Sequence, residues 1–343
     1  MTAVGTALPE GFLRALLDAF GPHVSLNTAL GPRTTFRVGG PADALLETRS
    51  SADIVTALKL ARAHGVPVTI LGGGSNVLVS DEGVRGLVIH PKFGDITSDG
   101  HTVRADAAVS INGLVRWTVG RGLAGLEAWA GTPGSVGGGI YGNAHFRGRL
   151  LSEHVAQVGL ATRDGVETIA DVASMTFGYD RSRLQESGEV LLWADFRVST
   201  GDPASLRSQA RASLAYRKAT QPLHLASAGC IFQNPAESDT VPDDMPRSAG
   251  ALIDRAGLKG ARIGKAEVST LHANFIVNPG GATAADVKHL LERCRREVRE
   301  RFGVTLREEI VYLGDFSYCA ERPALETSGG GHRPASSGPP PTR

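Results

Sequence analysis

The chain has 343 residues, and its 36 Lys and Arg nearly balance its 35 Asp and Glu, which leaves a net charge of +1. Such a balance excludes the basic field of a nucleic-acid or anionic-membrane binder, so we expect small-molecule partners. Apolar runs stay below the ~20 residues of a membrane span, and no signal peptide is evident, so we expect a cytoplasmic protein with neither membrane nor nucleic-acid partners. We also expect a monomer, although nothing in these patterns specifies the oligomeric state.

Cysteine and histidine spacing indicates no metal and no disulfide framework. The three cysteines are Cys230, Cys294 and Cys319, and none belongs to a C-x-x-C pair. The ten histidines show no H-E-x-x-H spacing. The sequence therefore predicts no metal site.

The first 92 residues predict a mixed α and β unit. Apolar residues at helical spacing predict a helix over residues 9–20 and another over 52–64. Strands are predicted over 66–71 and 77–79. A glycine-rich run, residues 72–76, separates these strands.

Two interpretations of this run remain open from its letters alone. Glycine-rich turns let N–H groups converge on a phosphate, but a tight hairpin is also rich in glycine. The dinucleotide-binding fingerprint G-x-G-x-x-G fails because Val77 stands where the third glycine is needed. A phosphate loop, which requires Gly-Lys followed by Ser or Thr, also fails, because Gly264-Lys265 is followed by Ala266.

Residues 102–200 predict a second, β-rich lobe with strands over 103–109, 155–161 and 190–198 and a helix near 111–119. A second glycine cluster lies at residues 131–139. Two such loops suit an extended ligand with several anionic or planar parts, such as flavin adenine dinucleotide. The esterase elbow G-x-S-x-G is excluded because Pro133 replaces its first glycine.

A third unit begins after residue 201. A polar helix is predicted from Pro203 to about Ala219, and a longer one over residues 283–302 that places Cys294 in the core. A strand is predicted over 304–313. Residues 320–343 contain little to bury, so we expect them to be disordered.

An ordered set of motifs resembles the UDP-N-acetylenolpyruvoylglucosamine reductase family. These motifs span roughly residues 25 to 314 and include the segments 34–40, 72–79, 125–127, 131–138, 143–144, 227–235, 257–260, 272–275 and 309–310. The resemblance implies an α+β chain, with a two-lobed FAD-binding fold of the vanillyl-alcohol-oxidase type and a smaller α+β substrate-binding domain. The implied units are an N-terminal helix (1–24), FAD-binding lobes (25–92 and 93–201), a substrate-binding domain (202–318) and a tail (319–343).

The resemblance also implies the chemistry. NADPH would reduce a non-covalently bound FAD, which would then reduce the enolpyruvyl group of a UDP-sugar to give UDP-N-acetylmuramate, a peptidoglycan precursor. Cys230 stands where the family has a proton-donating serine, and Glu309 matches a carboxyl group that stabilises the intermediate. The residues implied for FAD are Gly72, Gly73, Gly74, Ser75, Asn76, Thr132, Gly134, Ser135, Gly137, Gly138 and Asn143, and those implied for substrate are Arg217, Gln233 and Asn234. We expect Glu308, next to Glu309, to be solvated.

The sequence departs from the family pattern at other points besides Cys230. The family arginine that binds the substrate carboxylate follows a tyrosine, but here Asp180 follows Tyr179. We expect Arg181 to take that role, with Arg183 as the substitute and a surface ion pair with Asp180 as the alternative. His145-Phe146-Arg147 also replaces a common Gly-Ala-Tyr.

Two other functions remain open. An FAD oxidase of the vanillyl-alcohol type often carries a histidine in the first glycine loop for covalent flavin attachment, whereas this loop offers Ser75. A non-catalytic flavin- or nucleotide-binding relative would explain the displaced arginine.

Overall fold

The computed structural model describes residues 8–321, and its first lobe is built around a four-stranded sheet. Its elements are α1 (Glu10–Phe20), β1 (Val24–Ala29), β2 (Pro41–Thr48), α2 (Ser51–Ala63), β3 (Val68–Ile70), β4 (Val77–Val79) and β5 (Val84–Pro91). The sheet order is β1-β2-β5-β3, with β2 and β3 both parallel to β5. Both predicted helices are confirmed. The Ser50 side chain accepts a hydrogen bond from Asp53 N–H, which defines the start of α2.

The glycine-rich run does not form a hairpin. Strand β3 pairs with β5, whereas β4 pairs in parallel with β18 (Val311–Leu313), near the end of the described chain. The chain therefore crosses from one sheet to another at residues 72–76. The hairpin interpretation is wrong because the two flanking strands have different partners.

The second lobe is an antiparallel sheet with helices against it. Its elements are β6 (Ile96–Asp99), β7 (Thr102–Asp106), α3 (Ile111–Gly120), β8 (Leu123–Ala124), α4 (Val136–Tyr141), β9 (His145–Phe146), β10 (Arg149–Leu150), β11 (Val155–Ala161), β12 (Glu167–Asp171), α5 (Leu184–Ser187), β13 (Val190–Arg197) and β14 (Ser199–Thr200). The main sheet has the order β12-β11-β13-β7-β6. Trp129 and Phe196 are fully buried in its core.

The polar helix α6 (Pro203–Thr220) packs on this second lobe. Its first turn is capped by Asp202, which accepts a hydrogen bond from Ser205 N–H. Leu206 lies inside the second-lobe core, and Ala210 packs against the same core. The helix therefore packs with the lobe that precedes it, although the sequence places it at the start of the next domain.

The third unit combines short strands with a long helix. Its elements are α7 (Ala249–Arg255), β15 (Arg262–Ile263), β16 (Ala266–Val268), β17 (Ile276–Val277), α8 (Ala284–Phe302) and β18. The predicted final helix is confirmed, with Thr283 as its N-cap and Gly303 as its left-handed end. Cys294 is buried in the core below it, as expected.

The predicted strand over 304–313 is wrong for all but its last three residues. Residues 304–310 follow an irregular path, held by an isolated bridge between Glu308 and Phe232. Glu308 is not solvated either. Its carboxylate forms ion pairs with Lys288 and Arg295 of α8, and its side chain is only 18% exposed.

The described chain ends in a short 3-10 helix, Ser317–Glu321. It overlaps the first residues of the predicted tail, because Tyr318 packs on Phe316 and its hydroxyl accepts a hydrogen bond from Asp81 N–H. The rest of the predicted tail, residues 322–343, lies outside the described residues. Within residues 8–321, no helix has the length and apolar character needed to cross a bilayer.

Candidate active site

A cavity of about 950 Å³ lies where the three units meet. The first lobe contributes Ser75 and Asn76, the second contributes Gly134 and His145, and the third contributes Cys230. Its size is at the upper end of small-molecule sites, as a dinucleotide and a second ligand together require. Of the residues expected to act on ligands, the lining includes Ser75, Asn76, Thr132, Gly134, Gly138, Arg217, Cys230 and Glu309.

The two glycine loops pack directly against each other. A Cβ on Gly73 would lie 2.7 Å from the Cα of Gly134, and one on Gly72 would lie 2.6 Å from the Oγ of Ser135. Gly74 has φ +62, and its Cβ would clash with a backbone carbonyl. Glycine is therefore required here by contact between protein loops, and Gly72, Gly73 and Gly74 do not line the cavity.

The first loop nevertheless offers free backbone donors. Within the described chain, the N–H groups of residues 72–76 donate no hydrogen bond to other residues. Consecutive free N–H groups at a glycine-rich turn form an anion-binding concavity. The loop thus fits the diphosphate of FAD, and the donors are backbone atoms rather than side chains.

Three other residues expected to bind FAD have structural contacts instead. Ser135 caps α4, and Gly137 N–H donates to the Ala107 carbonyl. Asn143 is fully buried, and its side chain donates to the Gly178 carbonyl at 2.7 Å. None of the three lines the cavity. Their role is to hold the loops that do.

Arg217 supplies a buried cation at the second loop. Its Nη2 donates to Thr132 Oγ1 at 2.8 Å, and its guanidinium lies 3.8 Å from the centre of the Phe146 ring. Burial lowers the Arg217 pKa to about 10, which keeps the group charged at neutral pH. Its Nε is buried and has no partner in the described chain, so this N–H is available to a ligand oxygen.

Cys230 and Glu309 are held next to each other by backbone pairing of their segments. Glu309 N–H donates to the Ile231 carbonyl at 2.8 Å, and Gln233 N–H donates to the Arg307 carbonyl at 2.9 Å. Burial, and then the nearby Glu309 and Asp180, raise the pKa of the Cys230 thiol. Burial and Asp180 likewise raise the Glu309 pKa well above its usual value. Burial therefore favours the protonated form of both groups.

Gln233 and Asn234 do not line the cavity. The Asn234 side chain accepts a hydrogen bond from Ala249 N–H at 3.0 Å, at the start of α7. Asn274 takes a more central place than the sequence indicated. Its side chain bonds both the N–H and the carbonyl of Phe232, and so fixes the segment that follows Cys230.

The arginine expected to bind a substrate carboxylate does not reach the cavity. Arg181 pairs with Glu186 at 2.8 Å on the surface, and its side chain is 60% exposed. Arg183 forms two hydrogen bonds with Glu189. Asp180 lines the cavity instead, at φ +52 in a tight turn. Neither arginine replaces the family residue in this geometry, because the turn directs both side chains outward.

Asp180 has a partner that sequence reasoning missed. His145 Nδ1 lies 2.9 Å from Asp180 Oδ1, and the His145 ring packs on Tyr179 with 4.6 Å between centroids. Both His145 and Asp180 stand where the chain departs from the family pattern. These two departures were the only indication in the sequence that the residues act together. Because 35 residues separate them, the sequence alone did not indicate that they are in contact.

Comparison with known proteins agrees with this geometry. A family model described as an FAD binding domain matches residues 42–170, and one described as the C-terminal domain of UDP-N-acetylenolpyruvoylglucosamine reductase matches residues 221–313. The reductase of Rubrobacter xylanophilus is 41% identical, over 87% of this chain and 98% of its own length. Reductase 2 of Symbiobacterium thermophilum is 42% identical, over 82% and 89%. The crystal structure of the Thermus caldophilus reductase has a TM-score of 0.70 and 32% identity, covering 85% of this chain and 98% of that one. The chain therefore belongs to the UDP-N-acetylenolpyruvoylglucosamine reductase family.

Proposed function

We propose that this protein uses NADPH and FAD to reduce UDP-N-acetylenolpyruvoylglucosamine to UDP-N-acetylmuramate in peptidoglycan synthesis. The observation that carries the proposal is the convergence, in one cavity, of a protonated thiol (Cys230), a carboxyl group (Glu309) and the end of the first glycine loop (Ser75 and Asn76), whose backbone N–H groups are free. The thiol comes from the third unit and the glycine loop from the first lobe. Their meeting fits a reaction that protonates a substrate beside a bound dinucleotide.

The cofactor site fits FAD through its donors. The free N–H groups of Ser75 and Asn76, at the cavity end of the loop, would hold the diphosphate, and Thr132, Gly134 and Gly138 line the adjoining wall. Bound FAD would supply the hydride transfer from NADPH to the methylene carbon of the enolpyruvyl group. Ser75 offers no ring nitrogen for a covalent flavin bond, which agrees with non-covalent binding.

Cys230 would donate the proton that completes the reduction. Hydride addition to the methylene carbon leaves negative charge on the neighbouring carbon and its carboxylate. The Cys230 S–H bond breaks as the new C–H bond forms at that carbon, and solvent later reprotonates the thiolate. A thiol with a raised pKa retains its proton at neutral pH until this charge develops. Glu309 would help to stabilise the developing charge.

Arg217 would bind the sugar nucleotide or the flavin through its unpaired Nε–H. Its charge is retained in the cavity although burial lowers its pKa. An anionic ligand oxygen is the natural acceptor, because buried charged donors are rarely left unpaired.

We also propose that the protein is a monomer and acts in the cytoplasm. Sedimentation equilibrium tests the oligomeric state.

An anaerobic stopped-flow experiment tests the function. NADPH should bleach the bound flavin, and addition of the enolpyruvyl substrate should restore its colour with formation of the lactyl ether. A flavin-loaded protein that NADPH reduces, but that the substrate never reoxidises, would favour the non-catalytic relative suggested by Asp180. Flavin that remains attached after denaturation would favour the oxidase.

A further inference from the structure

Three donor side chains from distant parts of the chain converge in the cavity. His145 lies on β9, Asp180 in the turn before α5, and Glu309 just before β18. One donor atom from each residue lies within 4.8 Å of the other two. Only the tertiary fold brings them together, since the chain separates them by 35 and 129 positions.

Asp180 is held by neighbouring groups and has one oxygen without a partner. Its Oδ1 contacts His145, while its Oδ2 is buried with no hydrogen-bond partner among the described residues. The side chain is only 9% exposed. Gln185 donates to the Asp180 carbonyl at 2.9 Å, and Asn143 holds the same turn through Gly178. A buried carboxylate oxygen without a hydrogen-bond donor is a candidate ligand for a cation.

No neighbouring arginine supplies that cation within the described chain. Arg181 and Arg183 pair with Glu186 and Glu189 outside the cavity. Arg217, which does line the cavity, donates to Thr132. Two carboxyl groups and one imidazole thus face each other without a compensating side-chain charge from this turn.

We propose that His145, Asp180 and Glu309 bind one divalent cation of the Zn²⁺ or Mn²⁺ type. One imidazole nitrogen and two carboxylate oxygens form a mixed donor set that suits these ions, with further coordination positions open to the cavity. The cation replaces the proton of the Glu309 carboxyl group, which is released to solvent on binding. Binding places positive charge beside Cys230 where the family resemblance expects an arginine. The ion takes over the task of that arginine, which is to hold the substrate carboxylate. This second part rests on the proposed function.

Direct binding measurements test the site without substrate. The full-length, FAD-loaded protein is treated with a chelator and then titrated with Mn²⁺, with free Mn²⁺ followed by electron paramagnetic resonance, and with Zn²⁺ by calorimetry. We expect one site per chain. Asp180→Asn and His145→Gln should each weaken binding at least about tenfold, as loss of a metal ligand or its support does. Circular dichroism checks that both variants are folded.

Glu186→Gln is the matched control, because its carboxylate is exposed and lies outside the cavity. It should bind Mn²⁺ as the wild type does. Absence of stoichiometric binding at millimolar metal would overturn the proposal, and so would equal affinity in wild type and Asp180→Asn.

The role in substrate binding has a separate readout. Removal of the metal should raise KM for the sugar nucleotide while flavin reduction by NADPH stays unchanged. An unchanged KM would overturn the proposed role of the ion in holding the substrate carboxylate, but it would not contradict the metal site itself. Metal binding in a protein without any turnover would instead refute the proposed function alone, so the two failures are distinguishable.

Discussion

The side-chain amide of Asn76 donates a 3.1 Å hydrogen bond to the backbone carbonyl of Glu309, 233 residues further along the chain. Val311 N–H returns a bond to the Asn76 carbonyl at 3.0 Å. The end of the first glycine loop and the acidic residue of the site are therefore positioned by one asparagine. Asn76 was expected to bind FAD, and its side chain instead joins two parts of the cavity wall.

Replacement of Asn76 by Ala should affect the substrate step more than FAD binding. Loss of the hydrogen bond costs about 1 kcal/mol of unfolding free energy and frees the segment that carries Glu309. Flavin reoxidation by substrate should slow, while flavin reduction by NADPH changes little. Stopped-flow measurement of both steps checks this, and equal slowing of both would show that Asn76 contacts the cofactor.

Replacement of Cys230 by Ala should separate the two half-reactions. Flavin reduction by NADPH needs no proton from this thiol, but loss of a general acid lowers the substrate step by about 10²–10⁴-fold. Cys230→Ser should retain more activity than Cys230→Ala, because a hydroxyl can still donate. If both half-reactions fall together in Cys230→Ala, the residue has a structural role only.

Gly73→Ala should weaken FAD retention and stability. The new methyl would lie 2.7 Å from the Gly134 Cα, and such overpacking costs about 1–3 kcal/mol. Gly120→Ala, at the end of α3, is the control, since nothing lies within 4 Å of its Cβ position. FAD content after gel filtration and the melting temperature measure both variants. Normal FAD content in Gly73→Ala would mean that the loops can separate without loss of the cradle.

Arg181→Ala and Arg183→Ala should both leave KM for substrate unchanged. Arg181 forms an exposed ion pair, and such pairs contribute about 0–1 kcal/mol. Arg183→Ala should lower the melting temperature more, because Glu189 is only 15% exposed and loses both of its hydrogen bonds. A raised KM in Arg181→Ala alone would show that this side chain turns into the cavity when substrate binds.

His90 should make stability depend on pH near the glycine loop. Its Nδ1 donates to the Leu71 carbonyl at 2.7 Å, directly before the glycine run, and burial lowers its pKa below the ordinary 6.5. The unfolded chain therefore binds this proton more readily than the folded chain. The contribution to stability is complete above pH 6.5 and is lost as the pH falls from there towards the folded pKa.

Urea unfolding at several pH values measures this effect. His90→Asn keeps a donor for Leu71 but cannot titrate, so its unfolding free energy should fall less between pH 7 and pH 5. An identical pH dependence in both proteins would assign the effect to other groups.

Local sequence was sufficient to predict the helices and to indicate that the chain has an active site. Helix α8 carries its own apolar stripe, cap and glycine end, so its bounds follow from neighbouring residues. The ordered motifs identified the family and placed Cys230 and Glu309 in one reaction. The irregular segment 304–310 could not be predicted, because its extended path depends on a bridge to residues 231–233 rather than on its own alternation.

By itself, the sequence determined the fold class, the two glycine loops, and the unusual residues Asp180 and His145. Only the tertiary structure decided that the glycines serve loop-to-loop contact, that Arg181 and Arg183 turn outward, and that Asp180 meets His145 beside Glu309. The physical reason is that side-chain direction in a tight turn depends on single backbone angles, such as φ +52 at Asp180. Contacts across 35 or 129 positions depend on packing of whole lobes, which no local pattern encodes.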